Sequence, residues 1–273
     1  MFWPFNQKAT KQIARIEIAG AIGSGTRKAV LKALREVEER KYPALLLRID
    51  SPGGTVGDSY EIYRALQRLQ PKVKIVASYG NISASGGVYI GMGAPNIMAN
   101  PGTLTGSIGV ILRGNNLEKL LDRVGVSFKV IKSGPYKDIL SFDRQLTAPE
   151  EQILQTLIDS TYEQFVNTVA ESRHLDPATV RTFADGRIFT GEQAVEFGMV
   201  DRLGAEEDAR LWLAELAGLD PEKAKLQTIE ERKPLLSRIL QSQFSGLTTV
   251  VSAADWVQFE MSTSGQPLWL YRP

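Results

Sequence analysis

The stretch ALLLRIDSPGG, residues 44–54, decides the fold. Its first eight residues are almost continuously apolar, which is typical of a strand buried on both faces of a parallel sheet. Pro52, Gly53 and Gly54 then interrupt the strand, and a helical pattern follows as far as about Leu69. The stretch therefore predicts a strand, a tight turn and a helix, which is the repeating unit of an α/β fold.

The same alternation continues on both sides of this stretch. Apolar and β-branched runs predict further strands at 14–20, 74–79, 96–99 and 126–133. Helical periodicity predicts helices at 26–41, 177–184, 191–197 and 205–216, and a long helix that begins after Thr147. Thr147 and Glu150 have the spacing of a capping box, in which each residue's side chain bonds the other's backbone N–H. We predict a single α/β domain with mainly parallel strands.

Both ends of the chain carry aromatic residues. Phe2, Trp3 and Phe5 form an N-terminal tail that packs on the protein or a partner subunit, or lies at a membrane interface. The segment 235–240 is predicted to be helical, and the tail 266–273 is expected to dock, because a free tail rarely carries Trp and Tyr. The predicted division is an N-terminal tail (1–13), a main α/β domain (14–218) and a C-terminal helical extension and tail (219–273).

Composition excludes several classes of protein. The 273 residues have a formal net charge of +1, which gives no general attraction to nucleic acid or to anionic membranes. The absence of cysteine excludes disulfides, a thiolate nucleophile and any Cys-ligated metal. We find no signal peptide and no apolar run of roughly 18 residues that could span a bilayer. We therefore expect a cytoplasmic protein, at most peripheral to the cytoplasmic face of a membrane.

The segment NISASGGVYIGMG, residues 81–93, is the candidate nucleophile turn, with Ser83 and Ser85 beside a glycine pair. A serine needs a base, and His174 is the only histidine in the chain. It falls near the end of the long helix, where a solvated charge is the simpler interpretation. A lysine whose pKa is lowered below about 10.4 is the remaining candidate. Composition does not select one, although Lys137 lies in a turn-rich loop after a predicted strand.

Two glycine turns could stabilise an oxyanion. Gly53 and Gly54 close one strand, and Gly86 opens the helix after the candidate serine. Glycines allow backbone N–H groups to approach a ligand closely, so two such turns could direct donors at one carbonyl oxygen. Each glycine turn, taken alone, could equally be a tight connection between a strand and a helix. The two turns together favour an enzyme that carries out acyl chemistry.

These segments resemble signal peptide peptidase A, the half-length bacterial type, within the Clp-protease/crotonase superfamily. The motifs occur in family order and are DSPGG (50–54), ASGGVY (84–89), TGSIGV (105–110), SGPYKD (133–138) and ADGRIFT (184–190). The resemblance implies a repeated β-β-α superhelical fold and a serine protease. It implies Ser85 as nucleophile, Lys137 as general base and Ser107 as the residue that orients the lysine. It further implies Gly86 with Gly54, or alternatively Gly53, as oxyanion donors, and leaves Ser83 without a catalytic role.

The resemblance also implies a ring-like homo-oligomer in which a neighbouring subunit supplies the lysine. No metal or other cofactor is implied. The chain departs from the family in having no predicted transmembrane anchor, and in carrying Val88 and Tyr89 where the family has a tyrosine pair. The expected substrates are cleaved signal peptides or other extended apolar peptides. The alternatives are a crotonase-like acyl-CoA enzyme, and a non-catalytic or self-plugged oligomeric scaffold.

Overall fold

A computed structural model describes residues 12–229, 258, 259, 263 and 265–271. The strands are β1 (Ile13–Ala19), β2 (Ala44–Ser51), β3 (Gly53–Thr55), β4 (Lys74–Ala84), β5 (Asn96–Ala99), β6 (Leu104–Gly106), β7 (Ile188–Thr190), β8 (Arg202–Leu203), β9 (Leu226–Thr228) and β10 (Leu268–Leu270). The helices are α1 (Ser24–Glu39), α2 (Val56–Leu69), α3 (Gly86–Gly91), α4 (Glu118–Arg123), α5 (Ala148–Arg173), α6 (Pro177–Arg181), α7 (Gly191–Glu196) and α8 (Glu206–Leu216).

The main sheet has the order β7-β6-β4-β2-β1-β9, with β5 and β8 joined beside β4. Every pair in it is parallel except β6 with β7. A second, small sheet pairs β3 with β10 in antiparallel orientation. The predicted α/β class with mainly parallel strands is therefore confirmed.

Strand β2 is buried on both faces, as its continuous apolar sequence predicts. Leu45 and Leu47 face a core that includes side chains of α1, α2 and α5. Leu46 lies in a second core, on the opposite face, formed with Trp212 and Leu213 of α8. Because successive side chains of a strand point to opposite faces, one apolar run supplies both cores.

Strand β4 is longer than predicted and carries the candidate serine at its end. The prediction ended it at Tyr79, but the strand continues to Ala84 because its second half pairs with β6. Its first half pairs with β2 and β5. The extension places residue 85 between the glycine turn that follows β2 and the end of β6.

The predicted strand at 126–133 is wrong. The described segment has no strand there, and its apolar side chains are exposed, with Ile131 91% exposed. Among the described residues, no strand pairs with this segment. Strand propensity reflects packing on a half-buried sheet surface, and the described part of the chain offers this exposed segment no such surface.

The two termini are described only in part. The N-terminal aromatic residues and the predicted helix at 235–240 lie outside the described residues. Part of the extension 219–273 joins the body, because β9 extends the main sheet beside β1 and β10 pairs with β3. The three-part division of the chain stays a prediction. None of the helices in the described part combines the length and hydropathy that a bilayer span requires.

Candidate active site

Ser85 occupies a strained turn between β4 and α3. Its φ of 52° and ψ of −114° lie outside the regions that non-glycine residues favour, a conformation that typically costs about 1–3 kcal/mol. Two hydrogen bonds hold it there: its N–H donates to the Gly106 carbonyl at 2.8 Å, and its carbonyl accepts from the Tyr89 N–H at 2.9 Å. The turn is thus fixed by β6 on one side and by α3 on the other.

The Ser85 hydroxyl is buried and has no hydrogen-bond partner among the described residues. A buried polar group without a partner costs free energy, so its presence in a strained turn points to a functional constraint. Ser83 shares the burial and the lack of a partner but sits inside β4, opposite Ser51 of β2, with no turn to present it.

The two glycine turns meet beside Ser85. A Cβ added to Gly86 would lie 3.0 Å from the Gly54 nitrogen, and a Cβ on Gly53 would lie 2.6 Å from the Gly86 nitrogen. Only residues without side chains can pack their backbones this closely. The Gly53 N–H donates to Ser51 Oγ at 3.1 Å, and both glycines pair with β10, Gly54 opposite Trp269 and Gly53 opposite Leu270.

Strand β10 lies across these glycines. Trp269 is opposite Gly54 in the register, and the Tyr271 N–H donates to the Pro52 carbonyl at 2.7 Å. On its other edge, Leu268 exchanges two hydrogen bonds with Ile111, of 2.9 and 3.1 Å. The expectation that the C-terminal tail docks is confirmed, and it docks as a strand between two backbone segments of the cleft.

Ser107 follows β6 directly and lies one strand away from Ser85. It also has a positive φ, 50°, and its N–H donates to the Arg187 carbonyl at 2.7 Å. A cavity of about 530 Å³ opens beside it, between the segment 107–111 and α5. Asp159, Tyr162 and Asp185 also line this cavity.

Lys137 is not brought to Ser85 within one chain. It lies in an exposed turn, and the Ser85 hydroxyl has no partner among the described residues. The turn itself is ordered by Arg144, which forms ion pairs with Asp138 at 2.9 Å and with Glu150 at 2.5 Å. Hydrogen bonds from Arg144 and Lys132 hold the pKa of Asp138 well below its usual range.

Thr147 and Glu150 pair at the start of α5, as the spacing of a capping box predicts, and the Glu150 half of the box joins this ion-pair network. The Glu150 carboxylate accepts a hydrogen bond from the Thr147 N–H at 2.8 Å. Two hydrogen-bond donors lower the pKa of the buried Glu150 to about 2: the Arg144 guanidinium has the larger effect, and the Thr147 N–H the smaller one. The start of α5 and the Lys137 turn are thus coupled through Arg144.

The lowered pKa of Glu150 predicts a specific sensitivity to acid. Because its ionised form is favoured by folding, Glu150 contributes stability above its ordinary pKa of 4.5, and this contribution is lost as the pH falls toward 2. The melting temperature of the wild type should therefore fall across this window. Glu150→Gln should melt lower at neutral pH and show a shallower fall, measured by thermal denaturation at several pH values. Parallel curves for the two proteins would contradict this role.

His174 ends α5, as predicted, in a left-handed conformation with φ 54°. Its position at the helix end matches the structural interpretation of the sequence.

The sequence did not reveal that Trp269 stacks on Tyr89 beside the candidate serine, with ring centroids 3.9 Å apart. The one available signal was the apolar character of the tail.

Comparisons with known proteins show the family of the chain. The profile of Peptidase family S49 matches residues 67–220, and that of Clp protease matches residues 7–102. The chain belongs to peptidase family S49. It is 67% identical, over all of both chains, to a Synechocystis protein named "Putative protease slr0021". It is 40% identical to an Enterococcus faecium protein named "Putative signal peptide peptidase SppA" over 66% of this chain, which spans 53% of that protein.

Solved structures share the fold. A mutant of the 1510-N membrane-bound stomatin-specific protease aligns with a TM-score of 0.56 over 81% of this chain and 99% of that one, at 17% identity. A mutant of ClpP1 from Listeria monocytogenes aligns with a TM-score of 0.51 over 71% of this chain and 93% of that one, at 18% identity. The predicted Clp-type fold is confirmed, and the family is that of a protease.

Proposed function

We propose that this protease is a serine endopeptidase in which Ser85 is the nucleophile and Lys137 the general base. The observation that carries the proposal is Ser85 itself: its backbone is strained, and its buried hydroxyl has no partner among the described residues, at the point where two glycine turns converge. A serine of this kind, beside two backbone amides, supports the proposal because it supplies a nucleophile and oxyanion donors, two of the parts that acyl transfer requires.

The proposed reaction proceeds in two halves. Neutral Lys137 takes the proton of Ser85 as Oγ attacks the peptide carbonyl, and the oxyanion receives hydrogen bonds from the N–H groups of Gly86 and Gly54. Gly54 is favoured over Gly53 because the Gly53 N–H is already used by a side chain. Lys137 then protonates the leaving amine, and afterwards deprotonates the water that releases the acyl group. Ser107 accepts or donates a hydrogen bond that orients the lysine.

The lysine comes, in this proposal, from a neighbouring subunit of a homo-oligomeric ring. The segment that carries Lys137 is covered with exposed apolar side chains, which in solution require a partner: Leu117, Leu120, Val124, Val126, Phe128, Val130, Ile131, Tyr136 and Phe142. The first half of α5 adds the exposed Ile153 and Leu157, although its second half is buried. The cavity beside Ser107 leaves room for a side chain from outside the chain.

The proposed substrates are cleaved signal peptides or other extended apolar peptides. The cleft supports this proposal because it already holds one apolar strand, β10, between two backbone edges. Binding by strand addition recognises any extended peptide through its main chain and leaves specificity to side-chain pockets. We further propose that the enzyme works in the cytoplasm, alone or peripherally at a membrane surface.

The pH dependence of activity should identify the base. A Ser-Lys enzyme needs an unprotonated amine, so kcat/KM for a peptide substrate should rise toward alkaline pH. A histidine base would instead give a profile governed by one group near pH 6.5, which would implicate His174. The measurement is a pH–rate profile of the wild type, with His174→Gln as control; an unchanged profile in that variant supports the lysine.

A further inference from the structure

Trp269 fills an aromatic pocket directly behind the catalytic turn. Its side chain is fully buried. The indole stacks on Tyr89 at an interplanar angle of 25° and contacts Phe165 with ring centroids 4.9 Å apart. The Tyr89 ring is itself held in place: it packs edge-on against Tyr63 and Phe165, and its hydroxyl accepts a hydrogen bond from Thr168 at 3.1 Å.

The backbone of Trp269 lies where a scissile peptide bond would lie. A Cβ built on Gly53 would be 2.0 Å from the Trp269 carbonyl oxygen, and one built on Gly86 would be 3.0 Å from it. The carbonyl therefore sits in the cradle between the two glycine turns. Hydrogen bonds on both edges of β10 fix this register, with Leu268 held by Ile111 and Tyr271 by Pro52.

The pocket is apolar as well as aromatic. The indole nitrogen of Trp269 is buried and has no hydrogen-bond partner among the described residues. None of the described residues places an acceptor at the indole nitrogen, and burying a charge among these aromatic rings would cost free energy. Stacking on Tyr89 favours a planar ring over an aliphatic side chain.

We propose that Tyr89 and Phe165 form the specificity pocket for the substrate residue that contributes the scissile carbonyl, and that this pocket selects Trp or Phe. Residues 265–271 lie in the cleft as an internal ligand, and the Trp269 side chain occupies the pocket. The inference rests on the proposed function, and it adds a preference for cleavage after an aromatic residue.

Binding measured without turnover tests the pocket separately from the catalytic dyad. The protein is the full chain with Ser85→Ala, which prevents cleavage, and Trp269→Ala, which vacates the pocket. The probe is a fluorescent peptide with the sequence of residues 265–271, GQPLWLY. Matched peptides carry Phe, Ala or Asp in place of Trp. The Trp and Phe peptides should bind at least about tenfold more tightly than the Ala and Asp peptides.

Two variants test whether Tyr89 and Phe165 cause the preference for aromatic peptides. Phe165→Leu and Tyr89→Leu, each added to that background and checked for folding by thermal denaturation, should reduce the ratio of Phe to Ala binding several-fold. Tyr89→Phe keeps the ring and should preserve the ratio. Equal binding of all four peptides, or an aromatic preference that both leucine variants leave intact, would overturn the proposal.

Turnover distinguishes an internal ligand from a purely structural strand. Trp269→Ala alone, in the full chain, should lower the KM for a peptide containing a Phe residue, because the internal competitor is weakened. Mass spectrometry should find an aromatic residue at the new C-terminus of the product. A rise in KM in this variant, or cleavage without aromatic preference, would reject the pocket and leave the serine mechanism standing. If the chain with an intact Ser85 hydrolysed no peptide but still bound aromatic peptides, only the proposed serine mechanism would be rejected.

Discussion

Replacing Ser85 by alanine should lower kcat/KM for peptide hydrolysis by about 10⁴-fold or more, because nothing else in the turn could attack the carbonyl. The same change should leave the free energy of unfolding unchanged or raise it. The hydroxyl is buried and unpartnered among the described residues, so that removing it relieves an unsatisfied group. Loss of activity without loss of stability is the expected combination, measured by peptide turnover and chemical denaturation.

Ser83→Ala is the matched control for this substitution. Ser83 lies two residues earlier, is equally buried and is also unpartnered among the residues that the structure describes, yet it belongs to β4 rather than to the strained turn. This variant should keep kcat/KM within a few-fold of the wild type. If Ser83→Ala abolished turnover and Ser85→Ala did not, the assignment of the nucleophile would be reversed.

Replacing Lys137 by alanine should abolish turnover to a similar extent, although the residue is exposed in the single chain. The reason is that, in the proposed oligomer, its amine removes the proton of a serine on the next subunit. Lys129→Ala, in the same exposed segment, is the matched control and should keep nearly full activity. Near-normal turnover by Lys137→Ala would remove this lysine from the mechanism.

Coexpression of the Ser85→Ala and Lys137→Ala chains tests whether the dyad is shared between subunits. Each variant alone should be inactive, but mixed rings contain sites with an intact serine from one chain and an intact lysine from its neighbour. Random mixing in a ring should restore about a quarter of wild-type activity, since half of the serines and half of the neighbouring lysines are intact. Mixed oligomers without recovered activity would show that the lysine does not act on a neighbour.

The elements that the sequence predicts well are those determined by local pattern. The apolar run of β2 and the spacing of Thr147 and Glu150 depend on near neighbours, and both appear in the structure as predicted. The convergence of the two glycine turns could also be predicted from the sequence, because neighbouring parallel strands place their carboxyl ends at the same edge of a sheet. The order of five motifs along the chain then indicated the family that the comparisons show.

The features that the sequence could not reveal depend on distant parts of the chain. The segment 126–133 has strand-like composition but no pairing partner among the described residues, and composition alone does not report the lack of one. The occupancy of the cleft by β10 joins residues about 200 positions apart, and no periodicity encodes such a contact. The proposed role of Tyr89 in the pocket depends on its contacts with Trp269 and Phe165, which reach it from two other elements.

The most direct test of the central claim is covalent labelling of the nucleophile. The full chain and its Trp269→Ala variant are incubated with a serine-directed fluorophosphonate, and the adduct is located by peptide mass spectrometry. We predict one adduct, on Ser85, retained in Ser83→Ala and absent from Ser85→Ala. An adduct on Ser83, or none in either protein, would contradict a Ser85 protease and favour a crotonase-like or scaffold function.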